Sequence, residues 1–91
     1  YNLEMSAYIN QKLVSSDNFS NITWTFAQIL SRISYGATLY PGDVIGSGTC
    51  STGCFLELNQ TNKTNIWLQN GDRIDLKVQE MGVLSNKINQ V

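Results

Sequence analysis

Only one stretch of this chain keeps an apolar period near 3.6 residues, and it is short: Ile22, Phe26, Ile29, Leu30 and Ile33. Such a chain is restricted to one convincing helix, so its layers must come mainly from short strands. Ahead of the helix, Leu3, Met5 and Ala7 alternate with polar or amphipathic neighbours between Asn2 and Ile9, and Lys12 to Ser16 can return antiparallel after Asn10 and Gln11. Ser20 or Asn21 is expected to cap the helix, with Phe19 and Trp24 at the hydrophobic-staple positions when Ser20 is the cap. Gly36 supplies the natural stop.

Beyond Gly36 the chain nearly repeats itself. Leu39, Gly42, Asp43 and Ile45 in TLYPGDVI match Leu68, Gly71, Asp72 and Ile74 in WLQNGDRI. Each unit reads as a turn feeding a strand, and Pro41-Gly42 suits the centre of a type II turn with a strand beginning at Asp43. Asn59 to Asn65 reads as a mobile surface loop. In the last third, Arg73 to Glu80 and Val83 to Ile88 read as a half-buried hairpin bent at Gly82, with Ile74, Leu76 and Val78 on one side. The expected total is six or so short strands and one helix, an α+β, predominantly β roll in one domain over residues 1–91.

Charge excludes some partners. Six Lys plus Arg against seven Asp plus Glu leave no basic stripe to neutralise phosphates, so no nucleic acid is expected. No window approaches the roughly 18–20 apolar residues that cross a bilayer, so no membrane is expected either. The chain begins at Tyr1 without an initiator Met, which reads as a cut or processed start. Cys50 and Cys54 are a poor disulfide framework, which favours a reducing, cytoplasmic setting. Four Asn-x-Ser/Thr sequons, at Asn18, Asn21, Asn59 and Asn62, argue the other way.

Residues 41–58, PGDVIGSGTCSTGCFLEL, hold the densest chemistry. Ser47, Gly48 and Thr49 present amides and hydroxyls that can hold a carboxylate or an oxyanion, while a tight connection without a ligand is the competing reading. The segment is not a phosphate loop, because the Gly-Lys-Ser/Thr ending is missing. Read as a strand, FLEL puts Glu57 opposite Leu56 and Leu58; a solvent-facing carboxylate is the alternative to a functional one. With no His, two cysteines cannot complete a zinc site, and neither a Ser/His nor a Cys/His nucleophile pair can form. The carboxylates are scattered, Asp43 and Asp72 are most simply turn residues, and Trp24 and Trp67 are read as packing groups.

The ordered succession P-G-D-x-I, S-G-T, L-E-L, G-D-x-I and G-x-L-x-N, carried by PGDVIGSGTCSTGC, FLEL, WLQNGDRIDLKV and MGVLSNKI, resembles the C-terminal part of the fumarylacetoacetate hydrolase family. The polar loop and helix of SDNFSNITWTFAQILSRIS and the opening strand LEMSAYIN are similar too. The resemblance implies a mixed β-sandwich roll, incomplete in this chain and usually found in a homodimer. It implies C–C bond hydrolysis of acylpyruvate or β-diketone keto acids, with decarboxylase, isomerase and hydratase relatives. It also implies Mg²⁺ or another hard divalent ion, held by carboxylates of an N-terminal half, which polarises the substrate for attack by water. By the same resemblance Thr49 contacts the carboxylate or carbonyl end of the substrate and Gly48 lets the backbone approach. Glu57 would orient a catalytic His contributed by the N-terminal half, as the acid of a triad does. Asn70 and Ser85 depart from the family's usual Pro and basic residue. A non-catalytic β-rich binding domain is the alternative from another class.

Overall fold

In a computed structural model of the chain, residues 2–91 are described, and two hairpins build its sheet. β1 (Glu4–Ile9) and β2 (Lys12–Asn18) pair antiparallel, with Ile9 opposite Lys12, which leaves Asn10 and Gln11 as a two-residue loop. Both loop residues take positive φ, 50° and 68°, as the turn that matches strand twist demands. Between Ala7 and Tyr8 the register shifts, and Val14 is the extra residue on β2. β3 (Arg73–Val78) and β4 (Gly82–Lys87) form the second hairpin, with Gly82 at φ 109° at the bend. β1 pairs with β3, so the order is β2-β1-β3-β4, antiparallel throughout.

The two hairpins are sewn together at one end by Asn10. Its amide donates to the Arg73 carbonyl (2.9 Å), its side-chain oxygen accepts from the Arg73 amide (3.0 Å), and its Nδ2 donates to Asp72 (3.0 Å). A side chain in a tight turn thereby satisfies backbone groups where the ladder starts.

α1 (Phe26–Ile33) carries the apolar stripe read from the sequence, but it starts later than expected. Its cap is Thr25, not Ser20 or Asn21. Thr25 Oγ1 accepts from the Gln28 amide (3.2 Å), and Gln28 Oε1 accepts from the Thr25 amide (2.9 Å), a complete capping box. Residues Phe19–Asn21 instead form a single 3₁₀ turn in which Asn18 Oδ1 accepts from the Ser20 amide. Phe19 packs against Phe26, ring centroids 5.7 Å apart, and Trp24 and Ile29 take over the two staple positions. The helix ends at Ile33, and the Gly36 amide closes the next turn on the Ile33 carbonyl.

Three expectations fail in the middle of the chain. FLEL is not a strand: Phe55–Asn62 is a second helix, α2. No strand begins at Asp43, because residues 43–50 have no regular structure. The segment expected as a mobile loop is held by its first residue: Asn59, 8% exposed, bonds through its side chain to the amide and carbonyl of Ile66 and to the Thr64 hydroxyl. A side chain this buried leaves no room for a glycan on Asn59.

The second hairpin also differs, since β4 is exposed along its whole length and Leu76 of β3 is exposed as well. No apolar side chain is buried among the described residues. The Cα radius of gyration is 15.9 Å, against about 12 Å for a compact chain of this length. The accessible surface, 7408 Å², exceeds by about 2000 Å² what the mass of a folded monomer predicts. An open four-stranded sheet with two α-helices is the α+β, mainly β framework expected, with fewer strands, one more helix and no closed core. It has the openness of an incomplete fold.

Candidate active-site wall

The turn Tyr40-Pro41-Gly42-Asp43 forms as the sequence implies: Gly42 sits at φ 96°, the Asp43 amide donates to the Tyr40 carbonyl (3.1 Å), and Asp43 Oδ2 accepts from the Tyr40 amide (2.9 Å). It delivers the chain to Gly46, Ser47, Gly48 and Thr49. Gly48 has φ 96°, a conformation that L side chains rarely adopt. The Thr49 hydroxyl donates to the Cys50 carbonyl (3.1 Å), so it must release that bond before it can donate to a ligand. The Gly53 amide then closes a turn on the Cys50 carbonyl (2.9 Å).

Ser47, Gly48, Thr49 and Ser51 line one side of a cavity of about 430 Å³. Phe19 of the 3₁₀ turn, Ile22 and Trp24 of the link that follows it and Ile29 of α1 give the cavity an apolar lining, interrupted by the polar Asn18, Asn21 and Thr23, and Asp17 of β2 lines it as well. Polar donors and an apolar surface in one cavity suit a small molecule with a charged or carbonyl end.

Glu57 lies elsewhere. It is not among the residues lining that cavity, so the structure brings Gly48 and Thr49 together but not Glu57 with them. It occupies the third position of α2, where its Oε2 accepts from the Cys54 amide, a capping box in which Cys stands in place of Ser or Thr. The bonds from Cys54, its backbone amide first, hold the Glu57 carboxyl below its ordinary range. Gly53, at φ 73°, lies against the same carboxylate and leaves no space for a β-carbon. Strand alternation cannot describe Glu57's surroundings, although the C-x-x-E spacing was a usable sign of a helix start.

Asp17 lines the same cavity, although sequence reasoning passed over it as one scattered carboxylate. It accepts from the Ser51 amide (2.7 Å), from Asn21 Nδ2 (2.7 Å) and from the Asn18 amide (2.8 Å). The Ser51 amide bond, followed by that from Asn21, holds its carboxyl far below the usual carboxylate range. No motif announces it, since its partners lie four and thirty-four residues away.

A hard divalent cation needs several oxygen ligands at one point. Among the described residues no three His, Cys, Asp or Glu side chains are grouped, and Asp17, Glu57, Asp72 and Asp75 are each committed to hydrogen bonds of their own. This donor set does not fit such an ion. Cys50 and Cys54 are free thiols.

Residues 1–89 match the family description "Fumarylacetoacetate (FAA) hydrolase C-terminal". The chain belongs to the fumarylacetoacetate hydrolase family. Among curated relatives it is 30% identical over 89 residues to the rat (Rattus norvegicus) protein named "Oxaloacetate tautomerase Fahd2a, mitochondrial", covering 97% of this chain and 26% of that one. It is 32% identical over 77 residues to the fumarylacetoacetase of Arabidopsis thaliana, covering 68% of this chain and 18% of that one. A solved structure, the fumarylacetoacetate hydrolase of psychrophilic Exiguobacterium antarcticum, superposes with a TM-score of 0.79 at 27% identity, over 99% of this chain and 31% of that one. The chain thus spans about a quarter of the length of the mammalian tautomerase and under a third of the solved hydrolase. The open sheet and its exposed apolar faces correspond to the C-terminal portion of that fold.

Proposed function

We propose that this chain supplies the substrate-facing wall of a fumarylacetoacetate hydrolase family enzyme that hydrolyses a C–C bond in an acylpyruvate or β-diketone type of keto acid. The observation that carries the reading is the cavity wall itself: a left-handed Gly48 beside Ser47, Thr49 and Ser51, facing Trp24, Ile22 and Ile29. The hydroxyls and amides hold the carboxylate or carbonyl end of the substrate. The apolar side takes the acyl chain and keeps bulk water away from it. Glu57, held charged by the Cys54 amide, orients a His contributed by another segment.

The divalent metal implied by the family takes its ligands outside these residues, and the exposed apolar faces pack against the N-terminal part of the enzyme and a second copy in a homodimer. Free thiols at Cys50 and Cys54 suit a reducing compartment such as the cytoplasm or the mitochondrial matrix.

A second reading, tautomerisation of a keto acid, is favoured by the names of the mammalian and bacterial relatives, which are called oxaloacetate tautomerases. The same wall serves it, because both reactions begin by fixing the keto-acid end. Product analysis with an acylpyruvate and with oxaloacetate separates the two. The test of the wall is Thr49→Val in the complete enzyme with its divalent ion. A contact made equally in ground and transition states leaves kcat unchanged and raises KM by roughly tenfold. Unchanged kinetics would remove Thr49 from the site. Turnover by the ninety-one residues alone, with only a divalent salt added, would refute the division of labour.

A further inference from the structure

Residues 46–53 form no helix or strand, and their two internal hydrogen bonds, Thr49 to the Cys50 carbonyl and Gly53 to the same carbonyl, are local. A glycine-rich segment of this kind has many accessible conformations and must be held from outside to present a fixed set of amides. β2 does the holding. Ser15 and Asp17 are two residues apart on that strand, so their side chains leave the same face of the sheet. Both end on the segment: Asp17 Oδ2 takes the Ser51 amide at 2.7 Å, and the Ser15 and Thr52 hydroxyls meet at 2.6 Å.

Asp17 is itself fixed. Its other oxygen accepts from the Asn18 amide and from Asn21 Nδ2, which belongs to the 3₁₀ turn that brings Phe19 to the cavity's apolar lining. One carboxylate therefore ties the polar wall, the sheet and the turn below the apolar wall. Charged acceptors make the stronger hydrogen bonds, and three donors on one carboxylate also spread its charge beside a site meant for an anion.

We propose that Asp17 is a positioning residue for substrate binding, acting through the Ser51 amide to fix the Gly48–Thr49 backbone against the cavity. This rests on the reading of Gly48 and Thr49 as substrate-facing. Asp17 does not touch the substrate. Its carboxyl, held acidic first by the Ser51 amide, remains an acceptor at neutral pH.

The test measures kcat and KM for oxaloacetate and for acetylpyruvate in the complete enzyme carrying Asp17→Ala, Asp17→Asn, Thr49→Val and the double substitution of Asp17→Ala with Thr49→Val. The expected result is a rise in KM of roughly tenfold for Asp17→Ala with kcat nearly unchanged, since a charge-assisted bond is lost from a binding element. Asp17→Asn also raises KM, because its single acceptor oxygen cannot serve both Ser51 and Asn21. The double variant is expected to raise KM by less than the product of the two single rises, because Asp17 and the Thr49 hydroxyl act through the same wall.

Asp17→Asn covers the case in which Asp17→Ala does not fold. A fall in KM for Asp17→Asn would mean that the carboxylate repels the substrate, and would overturn the proposal. So would full additivity of the two losses, or an unchanged KM for both Asp17 variants in an enzyme whose KM responds to Thr49→Val. An inert Thr49→Val would overturn the functional reading, and this inference with it.

Discussion

The two turns built on Gly-Asp begin alike and end differently. In Tyr40-Pro41-Gly42-Asp43 and in Gln69-Asn70-Gly71-Asp72 the glycine has φ 96° and 92°, and the fourth amide donates to the first carbonyl at 3.1 Å in both. The Asp carboxylate accepts from the first amide at 2.9 and 2.8 Å. Yet the second turn feeds β3, while the first feeds an irregular segment whose Val44 is 96% exposed. The difference lies in what waits beyond. Asp72 also accepts from Asn10 Nδ2, its carbonyl takes the Ile88 amide at 2.8 Å, and the Gly71 amide donates to the Ile88 carbonyl at 2.8 Å. Among the described residues Tyr40–Asp43 has only its own two bonds. A turn sets direction, but a strand exists only where a neighbour completes its ladder.

The largest expected effect follows from the shared glycine conformation. Neither Gly42 nor Gly71 has any atom within 4 Å of where a β-carbon would stand, so alanine at either position adds backbone strain and no clash. That strain is about 1–2 kcal/mol at each. In the complete enzyme Gly71→Ala should lower the unfolding free energy read from urea titration by that much, because its turn is bonded into the sheet. Gly42→Ala should move the midpoint much less, since its turn can open without disturbing β1–β4. Equal shifts would break the comparison by showing that both turns unfold with the sheet.

A smaller effect separates the two carboxylates. The Gln69 amide and then Asn10 lower the Asp72 carboxyl from its ordinary 3.8. A depressed folded pKa gives stability that is present above the unfolded value and lost as pH falls through the folded one. Wild type should therefore exceed Asp72→Ala in urea midpoint at neutral pH, with the gap closing on acidification below about 3.9. Asp43→Ala should open a narrower gap at neutral pH. A pH-independent gap for Asp72→Ala would mean that its bonds do not depend on charge.

The same contrast explains what could be read in advance. Both hairpins and the type II turn were legible because alternation, Gly82 and Pro41-Gly42 are local signals with local causes. α1 was legible because its whole stripe is apolar. α2 was not: its inward side is Phe55, Leu58 and Asn59, a helical spacing hidden because the third member is polar, while Leu56, Glu57 and Leu58 mimic a strand. The buried Asn59 is worth its position through side-chain bonds to three partner atoms rather than through hydrophobicity, which no periodicity count detects. Half of the candidate cavity wall was legible, since Gly48 and Thr49 announce themselves by composition. Asp17 depends on the fold having brought β2 beside residue 51, and the strand at Asp43 depended on a neighbour that these residues do not provide.

The finest distinction between the turns is their second residue, Pro41 in one and Asn70 in the other. Proline acts through the unfolded state, narrowing φ before folding begins, and Pro41→Ala should cost about 0.4–1 kcal/mol for that reason. Asn70 acts through the folded state, because its Oδ1 accepts from the Gln90 amide at 2.7 Å and ties down the chain beyond β4. An exposed bond of that kind contributes about 0.5–1.5 kcal/mol. Asn70→Pro exchanges one contribution for the other, so its unfolding free energy should stay within about 0.5 kcal/mol of wild type, while Asn70→Ala loses the bond with no compensation. Amide exchange at Gln90 supplies the second readout: protection should fall in both Asn70 variants, whatever the midpoint does. Retained protection in Asn70→Pro would show that the end of the chain is held by something other than the turn, and the two turns would then differ less than their sequences suggest.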